Sequence, residues 1–555
     1  MANELLLKGF DPKSIQDLES ARRCIVMLLN LVEELKTGAE ELRAEVERLR
    51  DEIARLKGMP GKPKIRPNPE RPVATDHSSE KERQQPAEWQ KRSKVGAIKI
   101  DREQVLAVDP ASLPADAEFK GYEEVVVQDV ILRTDNVLFR KEKYYSANEQ
   151  KTYLARLPRG YEGEFGPGLK ALVITWHYGA NMTEPKMREL LANVGIRLSA
   201  GQLSNLLIKK QEPFHAEKAA LYEAGLRSSP WQQIDDTATR EKGQNQRSQV
   251  LCSPLYTAYF TTGTKERLAV LDVLQNFRER RYLINEEAFG FLERFGVSGR
   301  VVSRLRQLPQ EQNLSEAEFL RLLEEQLPDL GPQTRSRVLE SAAVAAYHAQ
   351  MEWPVVQLLV GDDAPQWKCL TEELGLCWIH EGRHYKKLMP YVERHAQLLE
   401  SFLGQYWAYY RQLLAYREHP TPEAAERLAQ AFDDLFATVT GYAALDERIA
   451  KTRAKKGSLL MVLEHPEIPL HNNESELGAR LVVRQRDVSF GTRSAEGTQA
   501  RDTFLTLVAT AKKHGISFYH YVYDRISGAY QMPSLADLIR EKAKELNLGA
   551  SWQPP

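Results

Sequence analysis

The sequence predicts a multi-domain, mainly α-helical protein with an α/β core, and three observations carry that expectation. A heptad repeat opens the chain, helical stretches recur from residue 169 onward, and two short apolar strands in the middle each run into an aspartate. At 555 residues the chain is several times the length of a typical domain. No run approaches the roughly 18 unbroken apolar residues of a membrane span. The opening MANELLLKGFDPKS lacks the basic region and cleavage site of a signal peptide. Cys24, Cys252, Cys369 and Cys377 are too few and too scattered for a disulfide framework, and no Cys-x-x-Cys pair exists. A reducing cytoplasm without structural zinc is therefore expected. The net charge of -1 excludes a uniformly basic nucleic-acid binder, so a polyanionic partner must be met by locally concentrated charge.

The first element, residues 15–57, carries Ile25, Val32, Ala39, Val46 and Ile53 at heptad a positions, with Leu28, Leu35, Leu42, Leu49 and Leu56 at d. Mostly β-branched a positions with Leu at d favour a parallel coiled coil, hence a homodimer, over a helix packed on its own chain. Gly38 and Ala39 form a soft spot in its middle. Residues 58–98 follow as a linker rich in Pro and in Lys and Arg, a tether that could also track phosphates.

A small antiparallel β-rich domain is expected over 99–165. Val125–Val127 and Val130–Leu132 read as one extended apolar stretch interrupted by Gln128-Asp129, followed by Val137–Phe139 and Tyr144-Tyr145, with a turn at Asp135-Asn136. Residues 166–228 read as a helix-turn-helix: Thr183 and Ser199 stand at N-cap positions, Gly195 sits in the turn, and Lys209-Lys210 close the second helix. An ordinary helical hairpin fits those signals equally well. The core would begin at 229–380, with strands WQQIDDT, QVLC, LYTAYFTT, VVQLLV (355–360) and GLCWIH (375–380), and a helical stretch at about 278–350. A helical insertion at 381–465, the last part of the core at 466–530 and a tail at 531–555 complete the chain.

Three acids stand at ends of these elements. Asp235 lies on the first core strand, pointing opposite to Ile234, whose side Asp236 shares. Asp362 follows the buried-looking VVQLLV run and Gly361, where open α/β sheets place their sites. Glu476 opens a helix after the turn-forming His471-Asn472-Asn473. Taken singly, each is an ordinary cap or surface residue. The order strand–Asp, two strands, helix, strand–Asp, strand, helix–Glu is that of a ribonuclease-H-like fold, in which the aspartate strands lie side by side and the glutamate helix crosses their ends. Three converging carboxylates suit two hard cations, Mg²⁺ or Mn²⁺. Two such ions about 3.5–4 Å apart would clamp the oxygens of an in-line phosphoryl transfer.

Asp235-Asp236-Thr237, LYTAYFTT, Gly361-Asp362, Cys377-Trp378-Ile379-His380 and His471-Asn472-Asn473-Glu474-Ser475-Glu476 together resemble transposases of the insertion sequence 66 family, of the DDE class. Arg480, Ser489-Phe490-Gly491, Glu496-Gly497 and Thr510-Ala511-Lys512 continue the likeness. The resemblance implies an Mg²⁺-dependent enzyme that cuts an insertion sequence at its terminal inverted repeats and joins the freed 3′-hydroxyl to target DNA. It assigns the third acid to Glu476 rather than Glu474, sets Asp236 beside the metal-binding Asp235, and leaves room for accessory proteins of the same element. It also implies a cytoplasmic protein, nucleoid-associated when on DNA.

The chain departs from the family in carrying Leu477 where an arginine usually follows the glutamate, so that Arg480 and Arg484 would have to reach the phosphate. It lacks the cysteines of the zinc ribbon many relatives carry, and its 278–350 stretch is longer than the common form. Cys377 and His380 match a Cys-x-x-His signature, but two ligands do not close a zinc site, so packing and orientation of the active-site strand is the expected role. His384 and His471 are given no catalytic part. Arg448, Lys451, Arg453, Lys455 and Lys456 before the glutamate, and Arg480, Arg484, Arg486 and Arg493 after it, read as phosphate contacts rather than merely solvated helix faces, as do Lys209 and Lys210.

Overall fold

The computed structural model describes residues 15, 17–56, 98–114 and 116–552; apart from residue 98, the expected basic linker lies outside them. Helix α1 (Leu18–Leu56) runs unbroken through Gly38-Ala39. Its heptad stripe faces outward, with Ile25, Leu28, Val32, Leu35, Leu42, Val46, Leu49 and Ile53 all exposed. The opposite side docks on the same chain. Asn30 Nδ2 donates to the Gly441 carbonyl and Asn30 Oδ1 accepts from the Ala443 amide, both at 2.9 Å.

The β-rich domain forms only in part. Strands β1 (Lys143–Ser146) and β2 (Lys151–Leu154) pair as one short hairpin, and the valine runs at 125–132 are exposed and without regular structure. A β-branched run becomes a strand when a partner covers one face. No third strand or helix among the described residues does so here.

Helices α2 (Pro167–Ile174), α3 (Glu184–Asn193), α4 (Ala200–Ile208) and α5 (Glu212–Arg227) follow, α2 extended by a π-turn at Thr175–Gly179. Ser199 and Gln202 close a reciprocal capping box at the start of α4. Thr183 holds the N-cap position of α3 without a side-chain bond. Gly195 turns the chain between them at φ +84, a conformation that side chains rarely adopt.

A five-stranded sheet forms the centre, built from β3 (Trp231–Glu241), β4 (Gln244–Ser253), β5 (Tyr256–Thr262), β8 (Leu358–Gly361) and β9 (Glu373–Leu376), in the order β5-β4-β3-β8-β9. The first three are antiparallel neighbours, and β8 and β9 run parallel to β3. Between β5 and β8 lie α6 (Arg267–Leu274), the two-residue strands β6 (Arg281–Tyr282) and β7 (Leu314–Ser315), and α7 (Glu286–Arg294), α8 (Gly299–Leu305), α9 (Glu316–Gln326) and α10 (Pro332–Ala349). These helices share one apolar core with α2–α5 and with the sheet face that carries Leu251, Ala258 and Phe260.

The chain leaves the sheet at Leu376, so GLCWIH is not one strand. Cys377 is the N-cap of α11 (Trp378–Lys386), its sulfur accepting from the His380 amide, while the Trp378 amide donates to the Leu470 carbonyl. Helices α12 (Glu393–Glu418), α13 (Pro422–Phe436), α14 (Ala443–Arg453), and the single turns α15 (Lys456–Leu459) and α16 (Met461–Glu464) build the insertion. They close on an aromatic core in which Tyr406, Tyr409, Tyr410, Phe432 and Phe436 surround the fully buried Trp378.

Helices α17 (Asn473–Ser489) and α18 (Ala495–Lys513) cover the other sheet face through Val250, Tyr259, Ala479, Val482 and Leu505. Helices α19 (Phe518–Ser527) and α20 (Leu535–Leu546) end the chain. The expected tail is packed structure over its described residues, 531–552. Leu535, Ala536 and Ile539 are buried, Trp231 Nε1 donates to the Leu548 carbonyl, and Trp552 stacks on His465 at 3.7 Å. No helix among the described residues is long and apolar enough to cross a membrane.

Candidate active site

Asp235 and Asp362 come together through strand register. In the parallel pair β3–β8, Gln233 is opposite Val360, an offset of 127, and carrying that offset two residues on sets Asp235 opposite Asp362. Gly361 keeps this corner tight: a Cβ there would lie 3.3 Å from both the Ile234 and Trp367 side chains. Asp362 Oδ1 accepts from Trp367 Nε1 at 2.7 Å and from the Ala364 amide at 3.2 Å, which fixes the carboxyl plane.

Helix α17 brings the third acid. Asn472 Nδ2 donates to the Ile234 carbonyl and the Glu474 amide to Gln233 Oε1, so the helix starts beside the β3 residues that precede Asp235. Gly478 permits the close approach, because a Cβ there would meet Val250 Cγ1 at 2.7 Å. The two acids of the motif then part. Glu474 pairs with Lys513 at 2.9 Å. Glu476 faces the site, with Arg383 Nη1 and Nη2 at 3.2 and 3.3 Å from its two oxygens and His380 Nε2 at 3.3 Å.

The electrostatics express this convergence. Burial, with the charges of Glu476, Asp362 and Asp236 adding to it, pushes the Asp235 carboxyl up to about 7. Asp236 is also raised, chiefly by burial, and its nearest cation is Arg247 at 4.0 Å. Burial lowers the His380 imidazole and pushes the Cys377 thiol up to about 12. A neutral, buried thiol that caps a helix is a poor metal ligand. All three converging side chains offer oxygen and no sulfur, which suits a hard divalent cation rather than zinc. Like charges gathered at a half-buried corner are an arrangement that such a cation relieves.

Arg383 escaped the sequence reading. It stands three residues after His380 on α11, and that spacing marks a shared helix face only once Trp378–Lys386 is known to be helical. Its Nη1 also donates to His380 Nε2 at 2.9 Å, so that nitrogen is an acceptor that orients Arg383, and Arg383 holds Glu476.

The basic residues divide by burial. Arg448 bonds the buried Glu381, and Lys455 bridges Glu381 at 3.0 Å and Asp363, the neighbour of Asp362, at 2.7 Å. Both are largely buried: Arg448 ties the insertion's own helices together through Glu381, and Lys455 locks them to the strand end, instead of facing a phosphate. Lys456 is held by Asp433 at 2.6 Å, Lys451 by its helix neighbour Glu447 at 2.6 Å, and Lys209 by Glu496 at 2.5 Å. Arg486 donates to the Ala238 carbonyl. Lys210, Arg453, Arg480, Arg484 and Arg493 are exposed, and Arg480 lies 4.0 Å from Glu476.

A second group of ligand-type atoms, from Glu373, Glu464 and His465, lies at the far end of β9. His465 Nε2 is 2.9 Å from Glu373, and its other nitrogen bonds Ser551, which makes the group an anchor for the C-terminal segment.

Comparison with known proteins bears on the family, and the matched span does not reach Asp235 or Asp362. The model of the transposase IS66 family matches residues 367–500, a span that contains Cys377, His380, Arg383 and Glu476. An uncharacterized protein, y4jO, from Sinorhizobium fredii (strain NBRC 101917 / NGR234) is 33% identical over 324 residues, which is 58% of this chain and 99% of that relative.

Proposed function

The chain belongs to the transposase IS66 family, and from that premise we propose that it cuts and joins DNA at the corner where Asp235, Asp362 and Glu476 meet. The observation that carries the reading is this convergence of three acids from a β-strand, a strand end and a helix far apart in sequence. The sheet order β5-β4-β3-β8-β9, with a glutamate helix laid across β3 and β4, supports a ribonuclease-H-like core.

Asp235, Asp362 and Glu476 would hold Mg²⁺ or Mn²⁺, two ions in this reading, and when bound these would supply activation of water or a 3′-hydroxyl and neutralisation of phosphate charge. The protein's own part is placement. Trp367 orients Asp362, Gly478 sets the depth of Glu476, and Arg383, oriented by His380, holds the Glu476 carboxylate. Arg480 and Arg484, exposed on the same helix, would take phosphate oxygens beside the site. Helices α3 and α4 would lie on the element's terminal inverted repeats, and the outward heptad stripe of α1 would pair two protomers. The exposed Lys210, Arg453 and Arg493 would extend the contact with DNA.

The test is Mg²⁺-dependent joining of pre-cut element ends, carrying free 3′-hydroxyls, to a target plasmid by the full-length protein beside Glu476→Gln. Joining by wild type and none by the variant is the expected result. Equal joining by both removes Glu476 from the chemistry. Cutting without joining marks a nuclease, and DNA binding without either marks a binding protein.

A further inference from the structure

The Ser489-Phe490-Gly491 segment ends helix α17, and the chemistry above leaves its ring without a task. Phe490 is 80% exposed and holds a left-handed backbone, φ +61, that a bulky side chain rarely adopts. The segment is clamped on both sides. The Phe490 amide donates to the Arg486 carbonyl at 2.7 Å, Thr492 and Arg240 bond through their main chains at 3.0 Å, and the Lys242 amide donates to the Thr492 carbonyl at 2.9 Å. A Cβ on Gly491 would stand 2.5 Å from the Arg240 carbonyl oxygen, so the loop lies directly on the strand that carries Asp235. The ring is thus displayed on a rigid stem.

Its surroundings name the ligand chemistry. Phe490 lines a cleft of about 690 Å³ between helices α3 and α4 and this loop, together with Arg188, Arg486, Arg493 and Arg501. Arg484 is exposed two turns before it. An apolar protein partner needs a contiguous patch of several hundred Å², whereas the large exposed apolar side chains of this cleft are Phe490 and Val488, beside the small Pro185 and Ala200 and one carboxylate, Glu184. An isolated aromatic face within guanidinium groups suits a polyanion that also presents flat apolar faces. A paired base inside a duplex is already stacked on both sides, so only an unpaired or extruded base has a face to give.

We propose that Phe490 stacks on an unpaired base of the DNA substrate and holds the duplex open beside the active site, an inference that rests on the DNA-joining reading. Fourteen residues of helix separate it from Glu476, roughly 20 Å at 1.5 Å per residue. The base then lies within about six nucleotides of the bond that is cut, at 3.4 Å per nucleotide.

The test uses the full-length protein and duplexes of the element's terminal sequence in which one mismatched pair is walked along the first ten positions, each with 2-aminopurine at the mismatch. Wild type should bind about ten-fold tighter when the mismatch falls at the favoured position, with the fluorescence quenched there. Phe490→Ala should lose both effects, its ratio of mismatched to fully paired affinity falling to about one at every position, and Phe490→Trp should keep both. Equal gains in wild type and Phe490→Ala, or no favoured position, overturn the stacking role and leave the DNA reading standing. Failure of wild type to bind any of the duplexes overturns both.

Discussion

Glu33 of the N-terminal helix and His395 of the insertion form a buried pair, Oε2 to Nδ1 at 3.1 Å, across 362 residues of chain. The same carboxylate accepts from the Tyr391 and Val392 amides at 2.6 and 3.0 Å, where α12 begins. In the heptad frame Val26 and Glu33 are b positions and Asn30 is f. Helix α1 therefore docks in cis by the side opposite its a/d stripe and leaves that stripe outward.

Glu33→Ala strands two amides and an imidazole in a buried joint, a cost of about 2–3 kcal/mol for charge-assisted bonds. Hydrogen exchange should rise in residues 26–35 while β3–β5 stay protected. Unchanged protection in α1 would mean that the docking contributes nothing.

Gly478→Ala should displace Glu476 without touching any charged group. The added Cβ would meet Val250 Cγ1 at 2.7 Å, which forces α17 off the sheet at a cost of about 1–3 kcal/mol. Joining activity should fall, and Val250→Ala in the same chain should restore part of both stability and activity. A Gly478→Ala protein with a wild-type melting temperature and wild-type joining would refute the close-packing account.

How much of this was legible depended on range. Asp362 could be read from an apolar run that stops at Gly361, and Glu476 from turn chemistry followed by helical periodicity, because both signals are local. Arg383 could not be read, since Cys377-Trp378-Ile379-His380 has strand-like composition and becomes helical only because Cys377 caps it and Trp378 anchors the insertion core. Arg448 and Lys455 looked like any basic run. Their partner Glu381 is 67 and 74 residues away, and nothing in the local pattern separates a solvated lysine from one held by a buried carboxylate. The valine runs at 125–132 failed in the opposite sense, their strand propensity finding no covering partner.

The raised Asp235 carboxyl sets a pH dependence. Its folded value of about 7 exceeds the ordinary 3.8, so the metal-free folded state holds a proton that the unfolded state has lost. This group's contribution is most favourable below about pH 4 and is lost as pH rises to about 7. Cation binding needs the ionised form, so Mn²⁺ affinity should climb by up to about ten-fold per pH unit below 7 and level off above it. Asp235→Asn should weaken binding and abolish the slope, and raise the metal-free melting temperature at pH 7.5. A slope that survives in Asp235→Asn would place the titrating group elsewhere.

Lys455 and Arg480 separate support of the site from contact with DNA. Lys455→Ala leaves Asp363 and the buried Glu381 short of a cation, at a cost of roughly 3 kcal/mol. Arg480 is exposed, and its only described ion pair, to Glu476, is 4.0 Å long, so Arg480→Ala should leave the melting temperature nearly unchanged. On DNA the order reverses. Arg480→Ala should reduce the slope of log affinity against log salt by about one, the signature of one lost phosphate contact. Lys455→Ala, measured below its melting temperature, should leave that slope as it was. A reduced salt slope in Lys455→Ala would return the buried lysine to the phosphate contacts, and an unchanged slope in Arg480→Ala would remove Arg480 from them.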